Sequence, residues 1–473
     1  MMDTGLEDVH HLLRTVADYG AEYVSSIDQR TLCATLPLSD PEPLPETGIG
    51  SLKAFELFQK RYESLLTARS GPRFLGYING SVTPAALAGD WLTSVYDFCP
   101  QMGTEDPGDL SAFIELETLD LIKQLLGLPA GMTAGFVTGA TMASFTGLAV
   151  ARQWIGMEQG LNVAQRGLKT QATATILSCQ PHSSIGKAVS MLGMGRENIV
   201  ILPPMPNSEI VNLELLEETL KMQYGKPVIF SASAGTVNTG SFDDIAGLVK
   251  LKKKYSFWLH IDAAFGGFAA CSPRHKHLLN GWNEADSITV DTHKWMNLPY
   301  DSGIVFINEI HSNLQREVFQ NVNAAYLGSG QGSFKFNNFF PENSRRLRAL
   351  PAWLSLIAYG RNGFGEMIDE RCRLARVLGH LIERSEFFGL LSPVILNIVC
   401  FTLKDDSLNV ASFLESINKR GLVYLSPTTL YGKAGIRAAF ANWKTTMADV
   451  NRVWIELNEV VQSMQYHNKV KGV

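Results

Sequence analysis

The chain has 473 residues, of which 45% are hydrophobic and 18% charged, with a formal net charge of −5. That length suits a large α/β core with smaller appendages, and the charge balance carries no basic footprint for nucleic acid. No apolar stretch reaches membrane-spanning length, and Met1-Met-Asp-Thr-Gly-Leu-Glu-Asp8 lacks the basic and apolar regions of a secretory signal. A cytoplasmic protein with no nucleic-acid or membrane partner is expected. Six scattered cysteines (Cys33, Cys99, Cys179, Cys271, Cys372, Cys400) form no C-x-x-C pair, which points to buried thiols rather than a disulfide framework or zinc site.

The first hundred residues read as helices and loops, broken by the proline-rich stretch Leu36-Pro-Leu-Ser-Asp-Pro-Glu-Pro-Leu-Pro-Glu46. From about 110 to 310, short apolar β-rich runs alternate with helical periodicity. The runs are 174–178, 198–202, 227–231, 258–261, 287–290 and 303–307, with helical segments such as 213–222 and 245–254 between them. This alternation predicts a mostly parallel, doubly wound sheet. A loop-rich stretch follows at 310–345, containing Asn321-Val-Asn-Ala-Ala-Tyr-Leu-Gly-Ser-Gly-Gln-Gly-Ser333, whose glycine density is that of a mobile flap. A long helical pattern from Arg345 to Glu383 then leads to β-like runs at 394–401 and 435–440 and helices at about 409–420 and 446–465. The expected division is an N-terminal helical arm (1–105), a large α/β domain (106–345) and a small C-terminal α+β domain (346–473).

In an open parallel sheet, ligands bind beyond the carboxyl ends of the strands. His182, Thr236, Asp262 and Lys294 all follow predicted strands, so the fold would gather them on one edge. A lysine that can form a Schiff base and an aspartate that can hold a protonated ring nitrogen are the two groups that pyridoxal phosphate chemistry requires. Ala263 and Ala264 leave room for a flat ring, and His182 could stack on it. The Thr236 hydroxyl, in a glycine-bracketed turn, could reach cofactor or substrate. Each has a plainer reading: a surface lysine, a strand-end cap, a structural histidine, turn chemistry. Val137-Thr138-Gly139-Ala140-Thr141 supplies small residues before a helical pattern, which suits a phosphate cradle of backbone N–H groups. Cys271, His275 and His277 match no common zinc spacing and read as a surface loop, so no metal is expected; Lys252-Lys-Lys254 reads as the solvated end of a helix.

These residues resemble the group II pyridoxal-phosphate-dependent amino acid decarboxylases, the aromatic-L-amino-acid and glutamate decarboxylase family with the aspartate aminotransferase (type I) fold. The resemblance runs from Pro72-Arg-Phe-Leu-Gly-Tyr77 through Glu115-Leu-Glu117, the T-G-A-T turn, His182, Asp262-Ala-Ala264 and His293-Lys294-Trp295 to Arg437-Ala-Ala-Phe-Ala-Asn442. It implies pyridoxal 5'-phosphate as cofactor and decarboxylation of an L-amino acid to a primary amine, through an external aldimine and a quinonoid. By the resemblance, Lys294 is the Schiff-base lysine, Asp262 the pyridinium partner, and His182 the stacking residue. Thr138, Gly139, Ala140, Thr141, Asp291 and His293 lie on the phosphate side, Thr236 and Ala264 beside the ring, and Tyr77 and Arg437 on the substrate side. Tyr326 matches the loop tyrosine that returns a proton to the substrate carbon. Ser344 matches a position reaching the phosphate of a neighbouring subunit, in a homodimer with active sites at the interface. Two residues depart from the pattern: Met142 stands where relatives often carry glutamate, and Asp291 replaces a common asparagine. A second negative charge beside a phosphate is unfavourable unless His293 or a neighbour offsets it. Competing expectations are a carbon–carbon lyase or aldolase resembling sphingosine-phosphate lyase, and a catalytically silent homologue.

Overall fold

A computed structural model describes residues 9–34, 40, 43–101, 108–168, 175–322 and 334–471. Its helices are α1 (Val9–Ser25), α2 (Ser51–Tyr62), α3 (Pro84–Tyr96), α4 (Ala112–Leu126), α5 (Ala140–Glu158), α6 (Val163–Arg166), α7 (Ser183–Met191), α8 (Leu213–Met222), α9 (Ile245–Tyr255), α10 (Ser312–Phe319), α11 (Ala349–Glu383), α12 (Val410–Lys419) and α13 (Met447–Lys471). The strands β1 (Thr133–Val137), β2 (Thr175–Ser178), β3 (Ile199–Ile201), β4 (Val228–Ser233), β5 (Trp258–Asp262), β6 (Ser287–Val290) and β7 (Gly303–Ile307) form one sheet in the order β1-β7-β6-β5-β4-β2-β3. Strands β6, β5, β4, β2 and β3 run parallel, and β7 lies antiparallel between β6 and β1.

Strands β4, β5 and β6 are buried along their whole length, which is why they read as unbroken apolar runs instead of alternating ones. Helix α5 is correspondingly apolar around most of its circumference and packs against β6, β7 and α7. The helical patterns at 213–222 and 245–254 become α8 and α9, each opened by a side-chain cap. Asn212 accepts from the Glu214 and Leu215 N–H groups, and Asp244 accepts from that of Gly247.

The strand pattern in the sequence omits β1, and the structure shows why. Thr133-Ala-Gly-Phe-Val137 is short and carries two weak strand formers. Gly135 is there for space: a Cβ would come within 2.5 Å of the Phe340 ring. Two other readings need correction. Cys271 and His275 are not on a surface loop; both are buried in short 3₁₀ turns, and an α11 residue, Asp369, lies 3.9 Å from His275 Nε2. Lys252–Lys254 do end α9, and Lys253 and Lys254 are solvated as read, but Lys252 turns inward to the buried Asp286 at 3.1 Å.

A second sheet, β10-β11-β9-β8, is antiparallel and built from β8 (Phe388–Leu390), β9 (Ile398–Leu403), β10 (Ser426–Leu430) and β11 (Lys433–Ala439). With α12, α13 and the C-terminal half of α11 it encloses its own apolar cluster around Phe388, Phe401, Phe413 and Leu457. Helix α11 serves both cores. It breaks at Gly360, whose φ of 57° and ψ of −175° are non-helical, and the segment before the break packs on α3 and α4.

Candidate active site

Four strand ends deliver the chemistry. Beyond β2, His182 caps α7, with Nδ1 accepting the Ser184 N–H at 3.3 Å and lying 2.7 Å from the Ser184 hydroxyl. An Nδ1 used as acceptor leaves the proton on Nε2. Desolvation lowers the pKa of His182, opposed by Asp262 and reinforced by the cations of Lys294 and Arg437, which suits a neutral, flat ring. Beyond β4 come Gly235 and Thr236; beyond β5 comes Asp262; beyond β6 come Asp291, His293 and Lys294. His182, Thr236, Asp262 and Lys294 all line one cavity of about 360 Å³, joined by Ala264, His293, Tyr77 and Arg437. The edge inferred from the sequence therefore exists as a single concave site.

Asp262 is nearly buried, and its Oδ1 accepts the Ala264 N–H at 3.2 Å. Lys294 is hemmed in from the N-terminal segment, because a Cβ at Gly80 would sit 2.0 Å from the Lys294 carbonyl oxygen. The glycine turn at 138–141 follows β1. Gly139 has φ +141°, and a Cβ at Gly303 would lie 2.6 Å from the Gly139 Cα, so both positions need the missing side chain. Helix α5 starts at once, and the Ala140 N–H points to Asp291 Oδ1 at 3.3 Å. Asp291 Oδ1 is also 3.0 Å from His293 Nδ1, and Oδ2 is 3.2 Å from Lys294 Nζ. Burial pushes the Asp291 pKa up, but Lys294 and the His293 hydrogen bond outweigh it and hold the carboxyl below its ordinary value. Asp291 thus has a cation beside it in Lys294 and a hydrogen-bond partner in His293.

The turn itself is pinned from below. Glu115 on α4 is wholly buried and meets Arg345 through two bonds, Oε1–Nη2 at 2.8 Å and Oε2–Nη1 at 3.0 Å. Glu115 Oε1 also accepts the Phe136 N–H, and Arg345 donates to the Phe136 carbonyl.

The remaining sequence candidates fall differently. The Thr236 hydroxyl donates to Glu209 at 2.5 Å, so it is committed to the protein rather than free for a ligand. Thr141 borders a neighbouring cavity of about 420 Å³ with His182, Lys187 and Arg196. Ser344 is exposed and does not line the cavity of its own chain. Tyr326 lies outside the described residues. Arg437 is buried; it donates to the Val237 carbonyl, and its Nε has no partner.

Several cavity residues escape the sequence reading. Arg69 lies over both Phe74 and Tyr77, each at 5.7 Å, beside a stack formed by Phe74, Tyr77 and Tyr424. The Tyr300 hydroxyl donates to Asn79 at 2.5 Å, and the Tyr300 ring lies 4.3 Å from that of His293. Glu209 sits in a Pro-Asn-Ser turn with no strand or motif beside it. Only the threonines of Thr236-Val-Asn-Thr239, which bind it, gave a signal.

The residues fit pyridoxal phosphate: a lysine and a carboxylate share the cavity, and the glycine turn at a helix start adjoins it. Comparison with known proteins agrees. The pyridoxal-dependent decarboxylase conserved domain matches residues 41–404. An aromatic-L-amino-acid decarboxylase of Bacillus atrophaeus is 28% identical over 438 residues, covering 89% of this chain and 88% of the relative. An L-2,4-diaminobutyrate decarboxylase of Rhizobium meliloti is 25% identical over 448 residues, covering 91% and 86%. The fold matches a crystal structure of Oryza sativa TDC with PLP and tryptamine at a TM-score of 0.89, 20% identity and coverage of 98% and 99%. On the domain match and the site it brackets, the chain belongs to the pyridoxal-dependent decarboxylase family and is an amino acid decarboxylase that uses pyridoxal 5'-phosphate.

Proposed function

We propose that this enzyme removes the α-carboxylate of an L-amino acid as carbon dioxide and leaves a primary amine. The observation that carries the reading is the convergence of Lys294, Asp262 and His182 from three strand ends into one cavity. Bound there, pyridoxal phosphate supplies an electron sink for a bond broken at the substrate's α-carbon. Lys294 would hold the cofactor through its aldehyde. Asp262 would pair with a protonated ring nitrogen, and the flat, neutral His182 would serve the ring and the substrate carboxylate. Ala140, Thr141 and His293 would hold the phosphate end with Thr138 and Gly139, and Asp291 would border it with its charge offset by Lys294. Tyr326 returns the proton to the α-carbon.

The same reading takes the chain as a homodimer in the cytoplasm, with Ser344 serving the partner's site. Trp91, Val95, Phe98, Leu110 and Phe113 are exposed apolar residues at or near α3 and the start of α4, the kind of surface a second copy would cover. It also keeps the three-part division at residues 105 and 345.

The test is the purified chain with added cofactor, read for its visible imine absorbance and for carbon dioxide and amine from a panel of amino acids. Lys294→Ala abolishes the imine band, and Tyr326→Phe retains it while shifting product toward aldehyde, with dissolved oxygen consumed and ammonia and hydrogen peroxide released. An aldehyde product without carbon dioxide from the unaltered chain, as a carbon–carbon lyase gives, sinks the reading, and so does the absence of an imine band.

A further inference from the structure

Glu209 is a carboxylate that the decarboxylation chemistry does not use, and it lines the substrate cavity while only 4% exposed. Its Oε2 accepts the hydroxyls of Thr236 at 2.5 Å and Thr239 at 2.6 Å; Oε1 accepts the Asn238 amide at 3.2 Å. All three donors are neutral, and no lysine, arginine or histidine among the described residues forms an ion pair with it. Buried carboxylates are nearly always paired, because an uncompensated charge away from water is costly. A carboxylate oxygen takes about two donors, so Oε1 has room for one more.

Arg437 is its counterpart. It lines the same cavity, is buried, spends one N–H on the Val237 carbonyl and leaves Nε bare. The two charges share the 236–239 turn without meeting. Glu209 binds the side chains of Thr236, Asn238 and Thr239, Arg437 binds the Val237 carbonyl, and Thr428 of β10 fixes Asn238 at 2.6 Å. The turn therefore holds an anion and a cation at fixed, separate places in the cavity wall. The α-carboxylate that every amino acid brings can meet Arg437, so the side chain decides what Glu209 faces. An aromatic side chain leaves Glu209 without a cation, and an acidic one sets a second anion near it. A distal ammonium satisfies it, since the α-amine is taken up by the cofactor.

We propose that Glu209 selects the substrate by binding a cationic side-chain group, so that the preferred substrate is an L-diamino acid. This rests on the decarboxylase reading of the same site.

The experiment uses the full chain loaded with pyridoxal phosphate and compares L-2,4-diaminobutyrate, L-ornithine and L-lysine with L-tryptophan and L-glutamate. Two readouts run in parallel: carbon dioxide release, and binding from the shift in visible absorbance, which needs no turnover. One diamino acid is expected to lead in both. Glu209→Gln keeps the hydroxyl acceptor and the shape, and should cost that diamino acid about 10–100-fold, mainly in KM and binding, as loss of a charge-assisted hydrogen bond implies. Its effect on tryptophan should be no more than a few fold, and Glu209→Asp should restore part of the loss. Preference for tryptophan or glutamate, or a Glu209→Gln loss equal for all substrates, overturns the proposal. Tight diamino acid binding that depends on Glu209 but releases no carbon dioxide leaves the proposal standing and removes the decarboxylase reading.

Discussion

Breaking the Glu115–Arg345 pair tests whether the phosphate turn is held from beneath. Both side chains are fully inaccessible, and the pair is bidentate, with the Phe136 N–H and carbonyl drawn into it and the guanidinium 4.7 Å from the Phe336 ring centre. Removing one partner leaves the other charge buried and unpaired, which costs about 3–5 kcal/mol. Glu115→Leu and Arg345→Met should each lower stability by that amount. Removing both charges, as Glu115→Leu with Arg345→Met, ends the desolvation problem but strands two backbone groups at Phe136. At about 1–3 kcal/mol each, the double variant should cost roughly 2–6 kcal/mol, well under the sum of roughly 6–10 kcal/mol. Denaturant unfolding followed by tryptophan fluorescence supplies the cycle. Phe136 lies three residues before Gly139, so a titration of the imine band should show weaker cofactor binding in both single variants. Single losses under about 1 kcal/mol, or a double variant as costly as the sum, would refute the reasoning.

Two further outcomes are expected. Asp291→Asn removes a carboxylate that takes the Ala140 N–H at the start of α5, so cofactor affinity should rise about tenfold in an absorbance titration, the scale of one relieved like-charge contact. Unchanged or weaker binding would mean that the carboxylate builds the cradle rather than competing for it. His260 is fully buried, with Nδ1 2.8 Å from the Ser287 hydroxyl, and burial pushes its pKa down to about 4. The stability gained by keeping it neutral is complete above its unfolded pKa near 6.5 and is lost as pH falls toward 4, roughly 3 kcal/mol in all. Asp243, raised by burial to about 6, works the other way over pH 6 to 4, so the contrast must be read as His260→Gln against the unaltered chain. The variant should gain on it by about that amount between pH 7 and pH 4; a constant difference in unfolding free energy across that range would count against a neutral His260.

The parallel sheet was legible because each of its inner strands is buried on both faces and so reads as a plain apolar run. What hid were strands whose residues answer to something other than strand propensity. In β1, Gly135 is small because Phe340, more than two hundred positions away, occupies the space a side chain would need. In β10, Ser426-Pro-Thr-Thr-Leu430 contains a proline, tolerable because the strand is an edge of its sheet. In β9, the apolar run from Val394 begins four residues before the strand does, and of the intervening residues Asn397 bonds Phe440 through its carbonyl and its side-chain amide.

The candidate site divides along the same line. Lys294 and Asp262 are legible because their chemistry sits at a short, fixed offset from the strand that carries them, and a strand is a local signal. The substrate side has no such anchor. Arg437 meets the Val237 carbonyl across 200 residues, Thr428 meets Asn238 across 190, and Tyr300 meets Asn79 across 221. Glu209 is recognised only through hydroxyls almost thirty residues downstream. The ring-binding half of the site is thus written strand by strand, whereas the wall facing the substrate forms only when the small sheet and the N-terminal segment close on the large one. The cofactor can be read from a lysine and an aspartate, but substrate choice depends on charges that acquire their meaning from contacts between distant segments. That is why Glu209, silent in the sequence, is the residue whose substitution discriminates most sharply among substrates.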